Sequence, residues 1–278
     1  MSLRLDRAII RVAGPDTIGF LDNLLTQDVT KLTNTDPLYS ALLTPQGKVI
    51  ADMFLWGDRN ANEPTVDIET DPSRAAELTR RLNLYKLRAK VSLEDITAQR
   101  IALYSEKPFL GDDHDPRNAD LGWRAIAIPQ LVSFQEDSGQ FEANRIALGV
   151  PDLARDAAPE EVFAGEALLE ELNGVAFDKG CFVGQENVSR MKRRATTRKK
   201  FCPVVFDGGP IAFGTPVFAG EADIGSVRTG LAGRAIALLR LDRALDAVSG
   251  GKSLTAAGRA IRLDPPPWLI LPQREDEV

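Results

Sequence analysis

Histidine is nearly absent from this chain: His114 is the single one in 278 residues. Without a second imidazole, a Ser–His or Cys–His hydrolase is disfavoured, and His114 itself sits among the turn residues of Gly111-Asp112-Asp113-His114-Asp115-Pro116, which reads as a loop. Cysteine is equally scarce. Cys181 and Cys202 cannot build a disulfide framework, a Cys/His zinc site without carboxylate help, or the four ligands of a self-held iron–sulfur cluster. No metal site is therefore expected. Aromatic residues make up 6%, too few for base-stacking platforms. No apolar run approaches the roughly 18 residues of a membrane span, and the N-terminus has neither a signal-peptide core nor a transit pattern. A reducing cytoplasmic location is the expectation, and a mature organellar form whose targeting segment had been removed would look the same. Two nucleotide motifs also fail. Gly251-Lys252-Ser253 lacks the glycine of a phosphate loop, since that position is Asp246, and no Gly-x-Gly-x-x-Gly follows a strand.

What is present is an ordinary globular composition, 44% hydrophobic and 27% charged, with a net charge of −6. Strand patterns cover 7–12, 39–43, 48–56, 65–69, 91–96, 100–104 and 122–128, with a tight turn at Thr44-Pro45-Gln46-Gly47. Helical spacing marks Ile18, Leu21, Leu24 and Leu25, then Ala75, Leu78, Leu82 and Tyr85 behind an Asp71-Pro72 start, then 138–148 before Gly149, and a short helix over 165–172. Strands alternating with helices and hairpins indicate α+β. After Lys200 the texture changes to short strands punctuated by glycine and proline, the pattern of a small antiparallel β-barrel. The expected organisation is an α+β region over 1–198, a barrel over 199–273 and a frayed tail over 274–278.

The densest chemistry lies in Lys179-Gly180-Cys181-Phe182-Val183-Gly184-Gln185-Glu186. It is followed by a run from Arg190 to Lys200 in which seven of eleven residues are Lys or Arg; that run supplies +7, so the remainder carries −13 (−6 minus 7). Electropositive surroundings would lower the pKa of Cys181 and make it reactive. A buried, inert cysteine between glycines is the competing reading. The basic run is either a docking surface or a solvated face. Asp52, alone in an apolar strand, is either a surface group or a ligand contact.

The eight-residue stretch resembles the K-G-C-[FY]-x-G-Q-E signature of the YgfZ family of folate-binding proteins, relatives of the tetrahydrofolate-dependent aminomethyltransferase of glycine cleavage. Phe20–Val29, Leu43–Asp52 and Arg145–Pro151 are similar to further segments of that family. The resemblance implies two interwoven α+β portions and a C-terminal barrel in a cloverleaf around a central folate channel. It implies a tetrahydrofolate-binding accessory protein that assembles or maintains iron–sulfur proteins, including enzymes that modify tRNA. Cys181 is then the redox or transfer residue. Tetrahydrofolate or a one-carbon derivative is expected to meet Asp52, Lys179, Gly180, Gln185, Glu186 and Arg145. An iron–sulfur client or assembly protein is expected at Arg190, Lys192, Arg193 and Arg194, with neither nucleic acid nor membrane as a stable partner. A true aminomethyl- or methyltransferase is the other reading. Against it, one carboxylate of the aminomethyltransferase Asp–Asp pair is Ala51 here, and its folate-gripping Glu is Ala147.

Overall fold

The computed structural model describes residues 2–33, 36–58, 61–109, 113–193 and 197–272. The expected 274–278 tail and Arg194 lie outside the described residues. Strands β1 (Ser2–Leu5) and β2 (Ala8–Ala13) lead to helix α1 (Thr17–Asp22), the hairpin β3 (Leu38–Leu43) and β4 (Val49–Gly57), and β5 (Thr65–Thr70). Helix α2 (Pro72–Lys86) follows, then β6 (Ser92–Asp95), β7 (Ile101–Ser105), β8 (Trp123–Ala127) and β9 (Phe134–Glu136). They make a five-stranded sheet in the order β3-β4-β5-β2-β6 and a four-stranded sheet in the order β8-β7-β1-β9.

Alternation in β2 turns Ile10 and Val12 onto the core, where they meet Leu78 and Leu82 of α2. That helix starts where the sequence indicates: the Asp71 carboxylate accepts from the Ser73 N–H at 2.9 Å and Pro72 occupies the first turn. Strand β5 is buried along its whole length, which takes Asp67 and Glu69 out of water and obliges them to find cations.

The second half contains α3 (Gln140–Leu148), α4 (Leu153–Asp156), α5 (Gln185–Arg193), β10 (Lys199–Phe206), β11 (Pro216–Ala219), β12 (Ala222–Leu231) and β13 (Arg234–Arg240). It ends with α6 (Leu241–Ser249), β14 (Leu254–Ala256) and β15 (Arg259–Leu263). The six strands close as β10-β13-β12-β11-β14-β15, with β15 pairing back to β10, so no strand edge is left unpaired. At Gly225, with φ 141°, a Cβ would stand 2.1 Å from the Leu238 carbonyl oxygen, so only glycine lets β12 lie this close to β13.

The mixed α+β class and the barrel match the sequence expectation. The compact units do not break at residue 198. One comprises Met1–Gly139 and Leu172–Gln185, the other Gln140–Glu171 and Glu186–Val278. Side-chain bonds explain the grouping of α3 and α4 with the barrel: Arg145 of α3 reaches Thr229 Oγ1 at 2.8 Å, Arg234 reaches the Ile146 carbonyl at 3.0 Å, and Asp156 of α4 accepts from the Thr229 N–H at 2.9 Å. A change in turn composition marks where strands begin, not what they pack against. The expected helix over 165–172 is instead a run of buried turns, in which Leu168 has φ 60° and the Glu166 carboxylate bonds the Phe163 N–H.

Candidate functional site

Cys181 is exposed, and the loop that carries it is fixed from several directions. On its N-terminal side the Lys179 ammonium is buried. It donates to the carbonyls of Asp22 at 2.6 Å, Leu25 at 3.1 Å and Gln27 at 2.9 Å, and pairs with the Asp22 carboxylate at 2.9 Å. These carbonyls lie at and beyond the end of α1, where carbonyls lack helical partners and a cation is favoured. Phe182 is buried and Val183 packs on the sheet core. Gly184 has φ 85°, and a Cβ there would stand 2.6 Å from the Thr44 carbonyl oxygen and 3.1 Å from the Gly47 Cα. The loop therefore rests directly on the hairpin turn, a contact that needs glycine. Gln185 Nε2 returns to the Gly180 carbonyl at 3.2 Å and closes the loop.

The chain leading into this loop is held as well. Thr26 bonds the Gly174 carbonyl at 2.6 Å, Gln27 Nε2 bonds the Asn173 carbonyl at 2.7 Å, and Lys31 pairs with Asp178 at 2.9 Å. Two stretches distant in sequence, Phe20–Val29 and Leu43–Asp52, thus hold the loop Lys179–Gln185 that carries the exposed thiol.

The other expected residues are placed differently. Lys179 is a cofactor-binding expectation, yet its N–H groups serve the end of α1. Arg145 is fully buried in the second unit, donating to Glu142 at 2.6 Å, the Val150 carbonyl at 3.2 Å, Asp156 at 3.1 Å and Thr229 at 2.8 Å. Burial alone would lower its pKa, but Asp156, Asp152 and Glu142 outweigh that and raise it. Its guanidinium is committed to protein partners. Glu186 is exposed on α5, as are Arg190, which bonds Asn187, Lys192, which pairs with Glu170 at 2.8 Å, and Arg193. Cys202, by contrast, is buried in β10, and burial followed by the Asp264 charge pushes its thiol up to about 12.

Asp52 is buried in β4, with Oδ2 accepting the Tyr39 hydroxyl at 2.9 Å. It belongs to the margin of a charged cluster that the sequence did not indicate. Glu69 accepts from Arg7 Nε at 3.1 Å and Trp56 Nε1 at 3.2 Å, and pairs with Arg124. Arg124 also reaches Asp115 at 3.2 Å, and Asp115 receives a two-pronged contact from Arg117 at 2.9 and 2.8 Å. The Arg124 and Arg117 guanidiniums stand 4.0 and 4.9 Å from the centre of the Phe54 ring. Burial opposes ionisation of Glu69 more than any other influence. The charges of Arg124 and Arg7 and the hydrogen bonds from Arg124 and Trp56 together overcome it and hold the carboxyl below its ordinary value. Asp115 is held low in the same way, burial being offset by Arg117 and Arg124. Charged residues on short strands look like solvated faces in a sequence, and no local pattern distinguishes these.

Residues 198–270 match the family model described as the C-terminal β-barrel domain of CAF17. The human iron–sulfur cluster assembly factor IBA57, a mitochondrial protein, is 31% identical over 271 residues, covering 85% of this chain and 76% of the human protein. The mouse protein is 29% identical over 277 residues with the same coverage. The IBA57 homolog of Neurospora crassa is 29% identical over 232 residues, and there the chain spans about half of the relative, 52%. Among solved structures, the glycine cleavage system aminomethyltransferase T from Bartonella henselae superposes with a TM-score of 0.72 over 98% of this chain and 86% of that one, at 16% identity, a likeness of fold. The relatives are mitochondrial, which overturns the expectation of a cytoplasmic location. Sparse cysteine does not distinguish one reducing compartment from another.

Proposed function

The chain belongs to the family of the iron–sulfur cluster assembly factor IBA57, and on that premise we propose that it acts in iron–sulfur cluster assembly through Cys181. The observation that carries this reading is the exposed thiol on a loop pinned by Lys179, Phe182, Gly184 and Gln185. Immobilising a thiol in advance removes the entropy that ordering it at a partner would otherwise cost. One thiolate cannot hold a cluster, so the remaining ligands come from the protein that brings or receives it. The cluster is cargo, and Cys181 is a fixed point of contact during transfer. The exposed cations Arg190, Lys192 and Arg193 on α5 suit an acidic partner.

Tetrahydrofolate or a one-carbon derivative enters this reading through the resemblance to folate-binding proteins, as do client enzymes that modify tRNA. The residues fit a folate only in part. Asp52 is a buried carboxylate of the kind that grips a pterin edge, but one of its oxygens accepts the Tyr39 hydroxyl, while Lys179 and Arg145 are committed to protein groups. Ala51 and Ala147 weigh against aminomethyl transfer despite the shared fold.

The deciding experiment replaces Cys181 by Ser in a strain lacking its own family member. The variant is expected to fold with unchanged Tm and to leave iron–sulfur enzyme activity unrestored. Full restoration would remove Cys181 from the mechanism. Calorimetric titration with tetrahydrofolate tests the finer reading: saturable heat that Asp52→Asn abolishes supports it, and no heat at saturating concentrations ends it.

A further inference from the structure

Helix α2 uses its apolar stripe for the core: Leu78 and Leu82 are buried, with Ala75 and Tyr85 packed beside them. Leu84 and Leu87 stand off that stripe and are 60% and 89% exposed. Leu87 is unfavourable for the free protein in a second way. The Ala89 N–H bonds the Lys86 carbonyl at 2.7 Å, making a tight turn whose first central residue is Leu87, at φ 41° and ψ −103°. That is the geometry of a type II′ turn, where glycine is the residue without steric penalty. A leucine here strains the backbone and puts an apolar side chain into water. Among the described residues no packing offsets either cost, and strain of this kind is kept where a site needs it.

The surroundings indicate what the leucine meets. From Leu78 to Leu93 the sequence holds Arg80, Arg81, Lys86, Arg88 and Lys90 and no acidic residue, in a chain whose net charge is −6. Arg80 and Arg81 pair with Glu77 and the Lys90 N–H bonds the Asp16 carboxylate, so Lys86 and Arg88 are the cations that flank Leu87 directly. Arg88 and Lys90 are exposed beside Leu87. The result is an apolar point with a cationic collar. A membrane-binding helix presents a continuous apolar face, which α2 has already buried, and phosphate recognition has no use for a strained leucine. We propose that the Leu84–Lys90 corner docks a soluble protein partner through an apolar pocket rimmed by carboxylates, with Leu87 entering the pocket and Lys86 and Arg88 meeting the rim. This goes beyond the thiol chemistry and rests on the iron–sulfur reading only for the activity arm of its test.

The full chain is tested with Leu87→Gly and with the double charge reversal Lys86→Glu/Arg88→Glu. Relief of strain raises the Tm of Leu87→Gly by about 2 °C or more; an unchanged or lower Tm overturns the proposal. In cells, benzoylphenylalanine placed at position 87 is expected to form a discrete protein adduct on illumination, which the charge reversal removes. No adduct, or one indifferent to the reversal, overturns it. Leu87→Gly is expected to lower iron–sulfur enzyme activity at least threefold in the strain described above, despite greater stability. Full activity alongside an inactive Cys181→Ser overturns docking alone; if Cys181→Ser is also active, the functional reading has failed and the adduct decides. Sedimentation with phosphatidylglycerol vesicles that requires Leu87 would assign the corner to a membrane and overturn a protein partner.

Discussion

Glu69→Gln tests whether the buried charge cluster holds the first unit together. In the native cluster the guanidiniums of Arg7 and Arg124 face Glu69, those of Arg117 and Arg124 face Asp115, and Asp52 at the margin accepts the Tyr39 hydroxyl. The substitution removes a negative charge that Arg7 and Arg124 both contact, in a region where the Glu69 and Arg124 side chains are 0% and 1% exposed. At the 3.1 Å contact with Arg7 and an effective dielectric of about 20, the lost attraction is about 5 kcal/mol before solvation is counted. Glutamate also gives up hydration on burial, and glutamine keeps an acceptor for Trp56. A net loss of about 3 kcal/mol follows, the lower end for a broken buried pair. For a unit of this size that lowers Tm by about 6–12 °C. A near-ultraviolet circular dichroism melt reads it directly. The double variant Glu69→Leu/Arg124→Met removes both charges and is expected to recover much of the loss. A drop below about 2 °C for Glu69→Gln would refute the account. The pH dependence has a definite sign. The folded carboxyl titrates below its ordinary value of about 4.5, so its stabilisation is complete above that pH and is lost as pH falls through the folded value. Glu69→Gln therefore flattens the acid limb of the stability curve.

Two further outcomes concern the thiol loop and its buried counterpart. Gly184→Ala forces a Cβ to 2.6 Å from the Thr44 carbonyl at φ 85°, and about 2–3 kcal/mol of destabilisation is expected, with faster alkylation of a loosened Cys181. A urea midpoint within error of the parent would contradict that packing. Iodoacetamide at pH 8 is expected to label one thiol per native chain and two per unfolded chain, because Cys181 is exposed while burial holds the Cys202 thiol neutral. Two labels on the native chain would refute the burial of Cys202.

Local rules read well wherever neighbours in sequence supply the physics. The Asp71-Pro72 start of α2, the Thr44–Gly47 turn and the glycine that ends α3 all follow from backbone preferences of nearby residues. The same rules miss α5 and α6. The basic run around α5 suggests a solvated segment, and α6 follows β13 without a break or a side-chain cap. They also place a helix over 165–172, where a left-handed Leu168 and the Glu166 carboxylate favour turns that serve tertiary packing.

The sequence by itself determined the composition class, the barrel after Lys200 and the scarcity of thiols and histidine, which leaves Cys181 and Cys202 without the usual base partner. Those depend on residue type and short-range periodicity. Tertiary structure alone decided that Cys181 is exposed and pinned, that Lys179 serves the end of α1, and that Arg145 is locked among Glu142, Asp156 and Thr229. The reason is the same in each case. Each of these roles depends in part on partners tens to hundreds of residues away, and only folding brings 22 to 179 or 145 to 229.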